Sequence, residues 1–126
     1  MNRMVLVVVV VLSLGLVVPA GAAGSRPKYD TPSGVVAFAF GPDTGEVVWR
    51  SVQYADFYEV DVSTSKSMSN AAHVITDGPG VNGADIPNLK PATRYYVTVE
   101  VSSSRGESLS SDSKVASFTT DAAETP

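Results

Sequence analysis

The chain has 126 residues, no cysteine and a formal net charge of −4, from nine Lys and Arg against thirteen Asp and Glu. That length holds one domain. The missing cysteines exclude disulfides, a thiol nucleophile and a thiolate metal site, and an acidic chain with no basic run excludes the clustered cations that a nucleic acid partner needs.

The chain opens Met1-Asn2-Arg3 and then runs uncharged from Met4 to Gly24, with Met4 to Val18 almost all Val, Leu and Met. A break follows at Pro19, then Ala20-Gly21-Ala22-Ala23. A positive start, an apolar stretch and an Ala-x-Ala site predict a secretory signal peptide over residues 1–23, cleaved after Ala22 or Ala23. The run reaches the roughly 20 apolar residues of a membrane span only by including Pro19 to Gly21, so a retained anchor is the alternative. Residues 24–32 show no periodicity and are expected to form an exposed lead-in.

From residue 33 to 120 the sequence predicts short strands separated by turn signals. Val35 to Phe40 comes first, stopped by the turn cluster Gly41-Pro42-Asp43-Thr44-Gly45. Glu46 to Arg50 follows, with Val47 and Trp49 on one face. Phe57 to Ser63 alternates plainly: Tyr58, Val60 and Val62 face one way, Glu59 and Asp61 the other. A serine-rich loop leads to a weaker strand, His73 to Thr76. Asp77-Gly78-Pro79-Gly80 turns the chain, and Ala84 to Ile86 is brief. The longest strand runs from Arg94 to Ser102, with Tyr95, Val97, Val99 and Val101 on one face. A polar loop, Ser103 to Ser111, precedes Lys114 to Thr119. Residues 121–126 are expected to be a flexible polar tail.

About seven strands and no amphipathic helix imply an all-β fold, a seven-stranded antiparallel β-sandwich with an immunoglobulin-like architecture. Trp49, Tyr58 and Tyr95 are the large side chains expected to fill its core. With no disulfide available, packing alone must stabilise it.

Leu89-Lys90-Pro91-Ala92-Thr93-Arg94-Tyr95 has the spacing L-x-P-x-T-x-Y, which resembles the tyrosine corner of fibronectin type III domains. The resemblance implies that Leu89 fills the core, Pro91 stiffens the crossover, and the Tyr95 hydroxyl bonds back to the crossover backbone. Trp49 in the second strand, Tyr58 and Val60 in the third, Tyr96-Val97-Thr98-Val99 after the corner, and Phe118-Thr119-Thr120 at the end occur in the family's order. The similarity covers Pro32 to Thr120. It implies a fibronectin type III topology with a core built on Trp49, Tyr58, Val60, Leu89, Pro91, Thr93, Tyr95 and Val97. Phe57 departs from the small residue that many relatives carry before the third-strand tyrosine.

The candidate sites are few. His73 is the only histidine and, without cysteine or a second histidine, cannot make an ordinary His-based metal site. No serine has a G-x-S-x-G setting, so His73 is expected to be a surface residue. Glu59, Asp61 and Glu100 fall on outward positions and are expected to form a solvated, like-charged face. Paired carboxylates of a glycosidase would also need a cleft. Asp77 and Asp85 do not fit the spacing of an EF-hand. Arg105-Gly106-Glu107 occupies the loop that some fibronectin type III relatives use for receptor binding through Arg-Gly-Asp, here with Glu in third place. Phe57 and Tyr96 point outward if Tyr58 and Tyr95 point inward, and exposed aromatics on a sheet can stack on sugar rings or proteins.

The expected binding surface is therefore Phe57, Tyr96, Arg105 and Glu107, with no catalytic residue, metal or cofactor. The sequence implies a secreted, monomeric, non-catalytic module that binds or spaces an extracellular protein or polysaccharide, with no nucleic acid partner and no membrane contact after signal cleavage. The alternatives are an accessory domain of a larger secreted hydrolase and a signal-anchored surface protein.

Overall fold

The computed structural model describes residues 29–78 and 80–124. The signal peptide expected over residues 1–23 lies outside the described residues. So do the first part of the lead-in and the last two residues of the tail.

Seven strands form two antiparallel sheets. They are β1 (Val36–Ala39), β2 (Gly45–Val48), β3 (Phe57–Ser63), β4 (Ala72–Ile75), β5 (Gly83–Ile86), β6 (Arg94–Ser102) and β7 (Ala116–Thr119). One sheet has the order β1-β2-β5 and the other β4-β3-β6-β7. β3 and β6 coincide with the predicted strands, while the others are trimmed or shifted by one or two residues at their ends, where ladder pairing stops.

The inward residues follow from the two-residue period. Val47 from one sheet meets Tyr58, Val60, Val62, Val97, Val99 and Val101 from the other, and all are buried. Trp49 is 2 % exposed and its ring centroid lies 4.9 Å from that of Tyr58, tilted by 59°. Such tilted pairing adds to the gain from burying the area itself. Tyr58 also carries a polar tip: its hydroxyl accepts the Val52 N–H at 2.8 Å and so ties the β2–β3 loop to the core. Phe118 stacks on Tyr95 at 5.9 Å. That approach needs Gly45 opposite, because a Cβ there would lie 2.5 Å from the Phe118 ring.

The crossover into β6 is bonded at several points. The Tyr95 hydroxyl accepts the Lys90 N–H at 2.9 Å. Thr120 donates its hydroxyl to the Lys90 carbonyl at 2.6 Å, and its Oγ1 accepts the Thr93 N–H at 2.9 Å. Leu89 is buried beneath the crossover, whereas Pro91 is exposed and Thr93 half-buried. Pro91 therefore shapes the crossover from outside and fills no core volume.

The lead-in departs in part from its expected exposure. Asp30 and Thr31 are exposed, but Pro32 is buried and the Tyr29 N–H donates to the Leu109 carbonyl at 3.0 Å; just after it, the Ser33 carbonyl accepts the Arg50 N–H at 3.0 Å. Backbone groups brought against the sandwich find partners there, and this segment uses them.

Candidate functional site

The segment between β6 and β7, residues 103–115, is a strap laid along β6. β7 pairs with β6 only over Arg94 to Val97. Beyond that, the strap takes over the ladder. Leu109 N–H donates to the Val101 carbonyl at 2.8 Å and Ser113 N–H to the Val99 carbonyl at 2.9 Å. In the reverse direction, serine hydroxyls stand in for carbonyls. Val99 N–H donates to Ser113 Oγ at 2.9 Å and Val101 N–H to Ser110 Oγ at 2.8 Å. The serines that read as an ordinary polar loop are thus partly buried structural acceptors.

Around Gly106 and Ser108 the strap reaches over the carboxyls on the outer face of the four-stranded sheet, and this overturns the expectation of a solvated acidic face. Glu59 is 5 % and Glu100 7 % exposed, with Asp61 half-buried. Their outward positions match the alternation, but the sequence pattern carries no signal that the strap folds back over them. Gly106, at a φ of 83°, lets the strap turn down towards Glu59, whose Oε1 would lie 3.6 Å from a Cβ at that position. Ser108 donates its hydroxyl to Glu100 Oε2 at 2.9 Å. The exposed Asp112 brings a fourth carboxyl beside Glu100.

His73 joins this cluster from β4, where it pairs across the ladder with Asp61. Its Nδ1 lies 2.9 Å from Glu59 Oε2 and 2.5 Å from Asp61 Oδ1. The expected surface histidine is in fact half-buried and partnered. Among the described residues no lysine or arginine forms an ion pair with these carboxyls. Burial is the main cause that pushes the Glu59 carboxyl up to about 8, with the neighbouring Asp61 adding to it. Burial likewise pushes Glu100 up to about 8, helped by its hydrogen bond with Asp112 and by the Glu59 charge. Asp61 is raised to about 6 by burial and by the charges of Glu100 and Asp112, against a hydrogen bond from Glu59 that lowers it.

Two donor sets in the cluster have the spacing for a cation: Glu59, Asp61 and His73, and Asp61, Glu100 and Asp112, each with ligand atoms within 4.8 Å of one another. Oxygen-rich sets of this kind suit hard divalent ions once ionised. At low and neutral pH the glutamic protons compete for the same atoms. The cluster joins carboxyls and an imidazole with the Ser108 hydroxyl, and its cover is partial: Glu59 and Glu100 are buried, Asp61 and His73 half-buried, and Asp112 and Ser108 exposed.

The other predicted site residues are placed apart. Phe57 pairs with Ser102 and Tyr96 with Ser63, at opposite ends of the β3–β6 ladder. They share the outer face but are separated by six residue steps, about 20 Å, so they do not form one patch. Both are half-buried, and Phe57 lines a depression of about 390 Å³ between the β4 and β5 edges. Arg105 and Glu107 are exposed at the strap's turn, where Ser103 Oγ accepts both backbone N–H groups at 3.2 and 3.0 Å.

More exposed aromatics lie elsewhere, on residues the sequence pattern did not single out: Tyr54 in the β2–β3 loop, 80 % exposed, and two phenylalanines in and just after β1. Val36 and Phe38 sit on the outer face of the three-stranded sheet, opposite Val48 and Glu46. Phe40 continues this line into the turn. Phe38 is 40 % and Phe40 70 % exposed. Their alternation with Ala37 and Ala39 was legible; which of the two faces met water was not, because both faces of this strand are apolar.

No protein-family model matches the chain, and neither does any curated protein. Among solved structures the chain is similar to a fibronectin type III domain of human contactin 1, at 20% identity and a TM-score of 0.67, covering 85% of this chain and 96% of that one. It is also similar to a Fn3-like protein from Clostridium thermocellum, at 21% identity and a TM-score of 0.55, covering 80% and 100%. Against the FN1–FN3 domains of chicken CNTN1 the identity is 18% and the TM-score 0.62, covering 72% of this chain but only 32% of that one. The sheet orders and these likenesses define an immunoglobulin-like all-β sandwich. Its fold is that of a fibronectin type III domain. No helix among the described residues is long and apolar enough to cross a membrane.

Proposed function

We propose that this chain is a secreted, non-catalytic module that binds an extracellular protein or polysaccharide through the apolar stripe Val36, Phe38 and Phe40. The observation that carries this reading is the exposure of two phenylalanines in line along β1 and into the turn after it, with Val36 beside them. Apolar rings in a row are costly to leave in water and marked by that cost as contact surface. The export signal read at the N-terminus supports an extracellular setting. The burial of Glu59 and Glu100 supports a binding role over a catalytic one, since general acid–base chemistry needs a group within reach of substrate.

The test is a pull-down of cell-wall polysaccharide and matrix-protein preparations with purified protein. A Phe38→Ala, Phe40→Ala variant and a Phe57→Ala, Tyr96→Ala variant run beside it, each checked for folding by circular dichroism. Binding lost in the first variant alone supports the stripe. Loss in the second alone moves the contact to the four-stranded sheet, and no capture by the unaltered protein refutes the recognition role.

A further inference from the structure

The outer face of the three-stranded sheet carries more than the stripe. The register sets Phe38 opposite Glu46 on β2, and Glu46 opposite Asp85 on β5. Two residues along, Val36 stands opposite Val48, and Val48 opposite Gly83. Alternation puts these six residues on one side, because their neighbours Ala37, Val47 and Ala84 pack in or against the core. The face is therefore built from an apolar row and a row in which an aromatic ring adjoins two carboxylates.

Glu46 and Asp85 are like charges directly across a ladder, an arrangement that destabilises a sheet. Glu46 is half-buried and Asp85 exposed. Among the described residues no lysine, arginine or histidine pairs with either. Arg50 lies four residues beyond Glu46, about 13 Å along a strand, and turns over Gly34, where a Cβ would meet its Cγ at 3.1 Å. A cation supplied from outside and seated over Glu46 and Asp85 would relieve their repulsion. It would also stand about 4.8 Å, one strand spacing, from the line of Phe38, within reach of that ring's negative face.

We propose that the partner of this face is a polypeptide segment in which a lysine or arginine stands among apolar residues. Its apolar side chains lie on Val36, Val48 and the two phenylalanines, and its cation sits over Glu46 and Asp85. The proposal rests on the reading of the stripe as a contact surface and names the chemistry of what it contacts. The apolar row disfavours a sugar: Val36, Val48 and Gly83 have no polar side-chain atom, so hydroxyls set there would give up water without gaining a hydrogen bond. The acid pair disfavours an anionic glycan or membrane surface, which it repels. The size of the patch disfavours a second folded domain. The exposed parts of Val36, Phe38 and Phe40 amount to roughly 300 Å², well short of the roughly 800 Å² that each partner commits in a stable pair of domains. A short extended segment meets all three conditions.

The experiment is an amide chemical-shift titration of the isotope-labelled full chain with three probes. They are an end-blocked heptapeptide of alternating valine and lysine, its valine and glutamate counterpart, and the neutral oligosaccharide cellohexaose. The lysine peptide is expected to shift the amides of Phe38, Glu46 and Asp85 and to bind at least about fivefold tighter than the glutamate peptide. That preference is expected to shrink as salt rises from about 20 to about 200 mM. A Glu46→Gln, Asp85→Asn variant should remove the preference while keeping apolar binding, and a Phe38→Ala, Phe40→Ala variant should weaken both peptides. Equal binding of the two peptides overturns the cationic partner and leaves the stripe standing as a contact surface. Shifts of this face by cellohexaose alone overturn it in favour of a polysaccharide. Lysine-peptide shifts centred on Glu107 and Asp112 overturn it as general attraction to an acidic protein. No shift of this face by any probe also overturns it, and the pull-down described above then decides the stripe separately. Should the Glu46→Gln, Asp85→Asn variant fail to fold, the contrast between the peptides on the unaltered chain decides alone.

Discussion

Glu59 and Glu100 face each other across the central β3–β6 ladder, and both are buried. Folding raises the proton affinity of each from the ordinary 4.5 to about 8, so the folded state holds protons that the unfolded chain has already released. The stabilising effect is full below about pH 4.5 and is lost as pH rises through about 8. Melting temperature is therefore expected to fall from pH 5 to 8.5 by at least about 5 °C, roughly what 1 kcal/mol does in a domain of this size. Glu100→Gln is expected to flatten that profile and to raise the midpoint at pH 8.5. Thermal melts followed by circular dichroism check both; a midpoint that rises with pH contradicts the assignment.

Trp49→Ala should remove about 3–5 kcal/mol, as truncation of a fully buried aromatic does. Trp49 also carries the one buried side-chain nitrogen without a partner among the described residues. Trp49→Phe removes that orphan donor along with some volume, so it is expected to cost less than half as much. Urea titrations of the two variants give the comparison.

Gly45→Ala places a Cβ against the Phe118 ring. The expected loss is about 1–3 kcal/mol from overpacking. A Phe118→Leu change in the same chain should recover part of it, since the two sites share one volume and will not be additive. Denaturation midpoints of the single and double variants measure the coupling.

Tyr95→Phe keeps the ring and deletes only the oxygen that accepts the Lys90 N–H. It should cost about 1–2 kcal/mol. Ser113→Ala should cost a similar amount by leaving the buried Val99 N–H without its acceptor. Its signature differs, because the exchange of Val99 itself should accelerate. Native-state exchange separates the two effects.

Alternation made much of the fold legible. Tyr58, Val60 and Val62 against Glu59 and Asp61 specify one face of β3 with no help from elsewhere, and the valines of β6 do the same. The spacing around Tyr95 marked the crossover. What alternation cannot convey is the covering of an outward face by a distant segment. Glu59 and Glu100 read as solvated because polar outward residues usually are, and the strap that buries them is built from serines, which carry no periodicity. The exposure of Phe38 and Phe40 escaped for the opposite reason: β1 is apolar on both faces, so its pattern did not say which side the core would take.

The serines of the strap have one more consequence. A strand partner satisfies its neighbour with peptide groups that every residue possesses, but Ser110 and Ser113 do so with side chains. Without the strap, the N–H and C=O groups of Val99 and Val101 would lie bare in a row, a template on which a strand from a second molecule could build. The same few hydroxyls that complete this sheet therefore also close an edge that would otherwise be open to pairing.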